Sequence, residues 1–394
     1  MILRLGVFLT DPNGRTVLAG EIGSEGGEGE FRYTPGYLSS PESFPIDPEI
    51  FPLQPSPIGY RARDGIAPVF EDSLPDTWGR RLLIRRSKLS RSEQTLPRLL
   101  IELGSGGLGA LSYSPDGEPP PPPAVLGMAA LPKLLEAAEK IEAGEAPEDE
   151  WLQALLNAGS SPGGARPKIL VDDDGTPAIA KFPARDDLYA NVPLEAATMS
   201  LARRGGLDTA ETRIVKAGGK MVLVVRRFDV TPKGGRRHMV SFRTLLRGDD
   251  YSRFGYDDLF EVLRKVSGQP EIDRLNLFRQ MVFNAFVGNT DDHTRNFTML
   301  HDTRGLFLSP AYDLLPAING DVEHALSFGT THVFPGRNGL AALGRKHGIR
   351  GTAVIEQVEE TMTHFREECE VHGVPEREME RFRKEIDARI GRKA

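Results

Sequence analysis

The chain has 394 residues, 39% hydrophobic and 27% charged, with a formal net charge of −7. That length permits two or three domains with sizeable cores, and the composition is ordinary for a soluble globular protein. The acidic balance gives no global footprint for nucleic acid or an anionic membrane.

In chain order, the start M-I-L-R-L-G-V-F-L-T lacks the length and cleavage pattern of a signal peptide. Leu3 to Gly23 reads as two strands joined at Asp11-Pro12-Asn13-Gly14, a hairpin turn signal. Phe31, Tyr33 and Tyr37 follow, then a Pro-rich stretch to about Pro68 that reads as irregular. Phe70 to Arg86 reads as a loop feeding a helix, Glu93 to Leu103 as a short helix, and Gly104 to Tyr113 as glycine turns entering a strand. Pro119 to Pro123 is a stiff extended connector. Met128 to Glu142 and Glu148 to Ala158 are helical by pattern, and no internal repeat is visible.

From Ala158 the text becomes polar and glycine-rich, A-G-S-S-P-G-G-A-R-P-K, without the G-K-[ST] of a Walker A loop. Glycines let backbone amides approach phosphates, and a nearby lysine neutralises them. The stretch leads into a hairpin, Ile169 to Val171 and Ala178 to Phe182, turned at Asp172 to Gly175, with Lys181 near its end. A helix from Val192 to Arg204 puts Leu194, Ala197, Thr198 and Leu201 on one face and leaves Glu195 off it. A lysine on a strand and a glutamate on the next helix are the pair that holds a nucleotide lysine in kinases. Thr212 to Lys216 and Lys220 to Phe228 flank Gly218-Gly219 as a further hairpin; its run Met221 to Val225 reads as a buried strand, far too short to span a bilayer. Arg226 to Asp229 is then a connector to a mostly helical remainder.

The most informative stretch is Val287 to Asn296, V-G-N-T-D-D-H-T-R-N. Leu275, Phe278, Val282 and Ala285 precede it on one helical face, widened by Met281 and Phe286, and Gly288 supplies the helix stop. Phe297, Met299 and Leu300, a turn from His301 to Gly305, and Leu306 to Leu308 read as a hairpin. It should return Asp313, in S-P-A-Y-D, close to Asp291 and Asn296. A carboxylate to take the proton of an attacking hydroxyl, with an Asn and a second carboxylate as hard oxygen ligands for Mg²⁺, is the set phosphoryl transfer requires. Near the C-terminus, the lone cysteine, Cys369, excludes an intrachain disulfide and a cysteine-based metal site and fits a reducing compartment; Arg381 to Lys393, with Glu385 and Asp387 interleaved, reads as a solvated helix face. A cytoplasmic protein with no membrane partner is expected.

With these residues in place the chain resembles the HipA family of bacterial serine/threonine protein kinases, the toxins of type II toxin–antitoxin modules. The resemblance rests on G-G-A-R-P-K (Gly163 to Lys168), A-K-F-P (Ala180 to Pro183), R-R-F-D (Arg226 to Asp229), G-N-T-D-D-H-T-R-N (Gly288 to Asn296) and P-A-Y-D (Pro310 to Asp313). Phe31-Arg32-Tyr33 and S-L-P-D (Ser73 to Asp76) resemble the family's amino-terminal subdomain.

The resemblance implies an α+β, two-lobed protein-kinase-like fold akin to phosphatidylinositol kinases. It divides the chain into an N-terminal β-rich subdomain over 1–115, a kinase N-lobe with a glycine-rich loop over 116–226, and a helical C-lobe over 227–394. It implies ATP and Mg²⁺ as cofactors. Asp291 becomes the catalytic base, buttressed by His293, and Asn296 and Asp313 the metal ligands. Lys181 contacts the ATP phosphates with Glu195 as its partner, Gly163, Gly164 and Lys168 belong to the nucleotide loop, and the backbone at Arg226 and Phe228 receives adenine. Ser161 or Ser160 stands where the family autophosphorylates to silence itself. A helix-turn-helix antitoxin, contact with DNA only through it, and a protein substrate such as an aminoacyl-tRNA synthetase are the implied partners. Two departures stand out: Arg226 where the hinge is commonly acidic, and Asp292 where glycine is expected, adding a charge beside the site. A kinase of the same fold acting on a small molecule, or a binding protein working through an antitoxin–DNA complex, would use the same chain differently.

Overall fold

The computed structural model describes residues 3–145, 150, 151, 155, 166–248, 252–317 and 320–391. They form two compact units, each assembled from separated stretches of chain: Met1–Lys181, Arg227–Val240 and Leu300–Asp302 in the first, Phe182–Arg226, Ser241–Met299 and Thr303–Ala394 in the second. The expected hairpin at the N-terminus is present as β1 (Leu3–Thr10) and β2 (Thr16–Glu25). Its turn is closed by Asp11 Oδ1, which accepts from Asn13 N at 2.8 Å and Arg15 N at 2.9 Å. With β3 (Glu28–Tyr33), β4 (Ile58–Arg61) and β5 (Leu111–Ser114) they make an antiparallel sheet ordered β4-β3-β2-β1-β5.

Strand β4 lies inside the stretch expected to be irregular. Alternation is too short there to read, and what makes it a strand is a partner far away in sequence, Ile58 opposite Phe31. Aromatic packing holds the Pro-rich segment down: the Phe31 ring lies 4.8 Å from Tyr33, 4.9 Å from Phe51 and 5.4 Å from Phe70. Tyr33 hydroxyl donates to Phe51 O at 2.8 Å and accepts from Ile46 N at 2.9 Å. Helices follow at Thr77–Arg86, capped by Asp76, and at Leu96–Leu103. The latter starts three residues later than expected because Pro97 suits only a first helical turn. In the same unit β6 (Leu126–Gly127) runs parallel to β7 (Lys168–Asp173), which pairs antiparallel with β8 (Thr176–Lys181), and a helix spans Leu131–Glu142. Most of the expected Glu148 to Ala158 helix lies outside the described residues.

The second unit carries the helix Asn191–Arg204 and the hairpin of β9 (Thr212–Ala217) and β10 (Lys220–Arg226), turned at two glycines with φ of +54° and +78°. Val222 to Val225 are buried, as the apolar run required. Strands β11 (His238–Ser241) and β12 (Thr298–Asp302) each belong partly to the first unit, and β13 (Gly305–Leu308) lies in the second. The helix Pro270–Val287 is central, with Met281, Val282, Phe283, Ala285, Phe286 and Val287 fully buried. Leu275, expected on its core face, is 38% exposed. Along that face the core begins at Phe278, whose ring Gly344 and Gly351 admit; a Cβ at these glycines would meet it at 2.9 and 2.3 Å. Helices at Gly336–Lys346, Thr352–Met362, Phe365–His372 and Glu376–Arg389 complete the unit. No helix among the described residues is long and apolar enough to cross a membrane.

Candidate active site

The loop begins where the Pro270–Val287 helix stops. Gly288 takes φ +74° and donates its N–H to Asn284 O at 2.9 Å, a left-handed cap. A Cβ there would sit 2.5 Å from the Arg389 guanidinium, which would have to move, and the positive φ would strain any other residue. Two residues of loop then bring the chain to Asp291, whose side chain is 82% exposed. His293 Nε2 stands 3.7 Å from Asp291 Oδ1, within ion-pair range but beyond a hydrogen bond. Asn296 folds back underneath: its N–H reaches His293 O at 2.9 Å and its side-chain Nδ2 donates to Asp291 O at 2.9 Å. With the amide nitrogen so occupied, Oδ1 is left as the atom Asn296 can offer a cation.

Asp292 departs from its expected role. Rather than placing a charge beside the site, its side chain is fully buried beneath it. Oδ2 accepts from Tyr256 hydroxyl at 2.6 Å and meets His324 Nδ1 at 3.0 Å, while Oδ1 accepts from Leu326 N at 3.3 Å. Tyr256 hydroxyl in turn accepts from Asn284 Nδ2 at 3.0 Å, and Asn284 Oδ1 from Asn289 Nδ2 at 3.2 Å. Burial, followed by the neighbouring Asp292, pushes the Tyr256 phenol well above its ordinary pKa, so it stays a donor. Ala325 N donates to Thr290 O at 3.0 Å, pinning the segment that carries His324 directly to the residue before Asp291. Two adjacent carboxylates thus have opposite environments, one open to solvent and one locked in the floor. The sequence signal was available, since a buried acid needs donors and Tyr256 and His324 could supply them, but nothing local says which donor folds onto which acid.

The hairpin β12–β13 returns the chain as expected. Asp273, fully buried at the start of the central helix, accepts from Leu308 N at 2.9 Å and Ser267 Oγ at 2.6 Å, fixing the return strand to the helix. Tyr312 hydroxyl donates to Arg295 O at 2.8 Å and therefore accepts from Thr298 Oγ1 at 2.7 Å. The neighbours of Asp313 and Asn296 are tied together in this way. Asp313 itself adopts φ +58°, a left-handed backbone uncommon for a residue with a Cβ and frequent at functional positions. Among the described residues no three His, Cys, Asp or Glu side chains gather as a metal cluster. A magnesium ion taken up with nucleotide phosphates needs only one or two protein oxygens, and the Asn296 and Asp313 donors are of the hard type it prefers.

The remaining expected site residues sort differently. Lys181 closes β8, and Glu195 is half-buried on the Asn191–Arg204 helix of the other unit. Lys168 is only 4% exposed and its Nζ lies 2.9 Å from Asp76 Oδ2, so its charge is met within the protein. Arg226 pairs at the surface with Glu211 at 3.0 Å. Of the connector backbone, Arg226 N donates to Glu211 O at 2.9 Å, Arg227 N to Pro177 O at 3.0 Å, and Phe228 O accepts from Arg237 Nη1 at 2.7 Å. Ser160, Ser161, Gly163 and Gly164 lie outside the described residues.

A β-rich N-terminal part and a mostly helical part bearing the Asp291–Asn296 loop and Asp313 define a two-lobed, α+β protein-kinase-like fold. The structure is similar at a TM-score of 0.70 and 20% identity to a HipA chain from Shewanella oneidensis solved with HipB and operator DNA, covering 97% of this chain and 96% of that one. Residues 160–390 match the HipA-like C-terminal domain and residues 14–114 the HipA N-terminal domain, so the chain belongs to the HipA family. It is 28% identical to "Putative kinase Y4mE" of Sinorhizobium fredii over 73% of this chain and 72% of that one. It is also 26% identical to the serine/threonine-protein kinase toxin HipA of S. oneidensis, over 72% of this chain and 69% of that one.

Proposed function

We propose that the protein is an ATP- and Mg²⁺-dependent serine/threonine protein kinase of the HipA toxin type. The observation that carries this reading is the exposed Asp291 on a loop whose backbone is held by Asn296 and whose floor is built on Asp292. Kinase-named relatives support it. ATP supplies the transferable phosphoryl group and the magnesium ion offsets its charge. Asp291, with His293 beside it, accepts the proton of the substrate serine or threonine hydroxyl. Asn296 Oδ1 and the Asp313 carboxylate hold the metal. Lys181, with Glu195 as partner, neutralises phosphate charge, and the backbone near Arg226 and Phe228 receives the base. On this reading residues 116–226 and 227–394 serve as the two kinase lobes and 1–115 as an added subdomain. Phosphate on Ser161 or Ser160 would bring close to two negative charges beside the ATP phosphates and so shut the kinase down. A component of translation is the proposed substrate and a helix-turn-helix antitoxin the proposed partner; the S. oneidensis HipA was solved in a toxin–antitoxin complex with HipB and operator DNA.

The test is to incubate purified protein with ATP and magnesium, read phosphate incorporation by intact mass, and then map phosphosites in a treated lysate. Transfer by wild type, lost in Asp291→Asn and in Asp313→Ala, is the expected result. Wild-type turnover in Asp291→Asn would refute the assignment.

A further inference from the structure

The first unit contains two buried ionic contacts that bind N-terminal residues to the kinase motifs. The first is Lys168 with Asp76, whose side chains are 4% and 8% exposed. Asp76 is fixed from its other oxygen as well, since Oδ1 caps the Thr77–Arg86 helix by accepting from Gly79 N at 3.0 Å. Lys168 is the residue directly opposite Lys181 in the β7–β8 register. The second is Arg227 with Asp229, joined by Nε–Oδ1 at 3.0 Å and Nη2–Oδ2 at 2.6 Å. That pair grips the glycine turn before β5: Asp229 Oδ2 accepts from Gly109 N at 2.8 Å, and Arg227 Nη2 donates to Gly107 O at 3.2 Å.

The two contacts meet in one place. A Cβ on Gly107 would lie 2.9 Å from Ser73 O, so the glycine turn is packed on the S-L-P-D loop that carries Asp76. Ser73 Oγ is in turn 2.8 Å from Tyr113 hydroxyl, on β5 of the N-terminal sheet. A buried charge that loses its partner is costly, so such pairs fix the elements that carry them.

We propose that the N-terminal subdomain is the positioning scaffold of the nucleotide-binding strands. Asp76, through Lys168, sets the strand end opposite Lys181, and the Gly107–Gly109 turn, through Arg227 and Asp229, sets the connector after β10. Lys168 on this account is a strut and not a phosphate ligand. The inference rests on the kinase reading, because it takes Lys181 as the nucleotide lysine.

The experiment uses the full chain and measures ATP affinity in magnesium by titration calorimetry, with melting temperature recorded for every variant. Asp76→Asn and Lys168→Met each break the pair and should weaken ATP binding about tenfold or more. The double variant Asp76→Leu/Lys168→Met replaces the pair by apolar side chains, a change that buried sites often accept. It should recover both melting temperature and ATP affinity. Should that pair fail to fold, Asp76→Asn/Lys168→Gln, uncharged but able to keep one hydrogen bond, makes the same comparison. Recovery of melting temperature without recovery of ATP affinity would show that Lys168 touches the phosphates and would overturn the proposal. So would single variants that melt early yet bind ATP as wild type does. Wild-type ATP binding alone tests the kinase reading, and its outcome is separate from the pattern among the variants.

Discussion

The Asp291 loop and the Arg227–Asp229 contact are both organised around buried carboxylates, but they satisfy them differently. Asp229 is met by two guanidinium groups, Arg227 at 2.6 Å and Arg236 at 3.4 Å. Burial works to raise its carboxyl, yet Arg227, Arg236 and the Gly109 N–H outweigh it and hold the pKa below the ordinary value. Asp292 is met by a phenol, an imidazole and a backbone amide. The first arrangement meets the acid chiefly with guanidinium charge, the two-bond contact of Arg227 above all, whereas the second spreads it over three groups that come from two segments. The lesson is that the Arg227–Asp229 contact should fail abruptly when one partner is removed, whereas the loop floor should weaken in steps.

The largest effect belongs to neither buried acid. On the proposed assignment, Asp291→Asn should lower the rate of phosphoryl transfer by about 10²- to 10⁴-fold while leaving nucleotide affinity intact, because only the proton acceptor would be lost; paired turnover and ATP titrations check this. Asp229→Asn should destabilise the fold by about 3–5 kcal/mol, the usual result of stranding a buried partner, read from denaturant melts. Asp292→Asn should cost about 2–3 kcal/mol and also depress turnover, since an amide nitrogen would face donors where a carboxylate accepted. Equal losses in Asp229→Asn and Asp292→Asn would dissolve the contrast between the two regions.

Acid sharpens it further. The Asp229 pKa is lower folded than unfolded, so its stabilisation is present above the ordinary carboxylate range and erodes only as pH falls below about 4. His238 titrates earlier. Burial, opposed by its contact with Ile46 O at 2.7 Å, lowers its pKa to about 4. Between pH 6.5 and 4 the unfolded chain binds the proton that the folded chain refuses, so stability falls as pH drops through that window. At pH 5 the loss from this group should be roughly 2 kcal/mol, and a His238→Asn variant should show a shallower decline in urea melts at pH 7, 6 and 5. The smallest expected effect is Tyr256→Phe, about 1 kcal/mol, because Asp292 keeps two of its three donors; a loss as large as that of Asp292→Asn would show that the phenol alone carries the floor.

What the sequence determined by itself was whatever depends on neighbours along the chain. Alternation and turn residues placed the β1–β2, β7–β8, β9–β10 and β12–β13 hairpins, and Gly288 marked the helix end because only glycine readily takes its left-handed cap. Motif order supplied the family, and with it the loop that carries Asp291 and Asn296 and the segment beyond the β12–β13 hairpin that carries Asp313. The tertiary structure alone decided which charges are inside. Asp291 and Asp292 are adjacent and chemically identical, and their separate fates depend on Tyr256 and His324, 36 and 32 positions away from Asp292. Lys168 is buried against Asp76, a partner far back in the chain that no local pattern points to. Strand β4 and the exposed Leu275 follow the same rule. Periodicity records which face of an element is apolar, but the burial of a particular side chain is set by long-range partners that the local pattern does not encode.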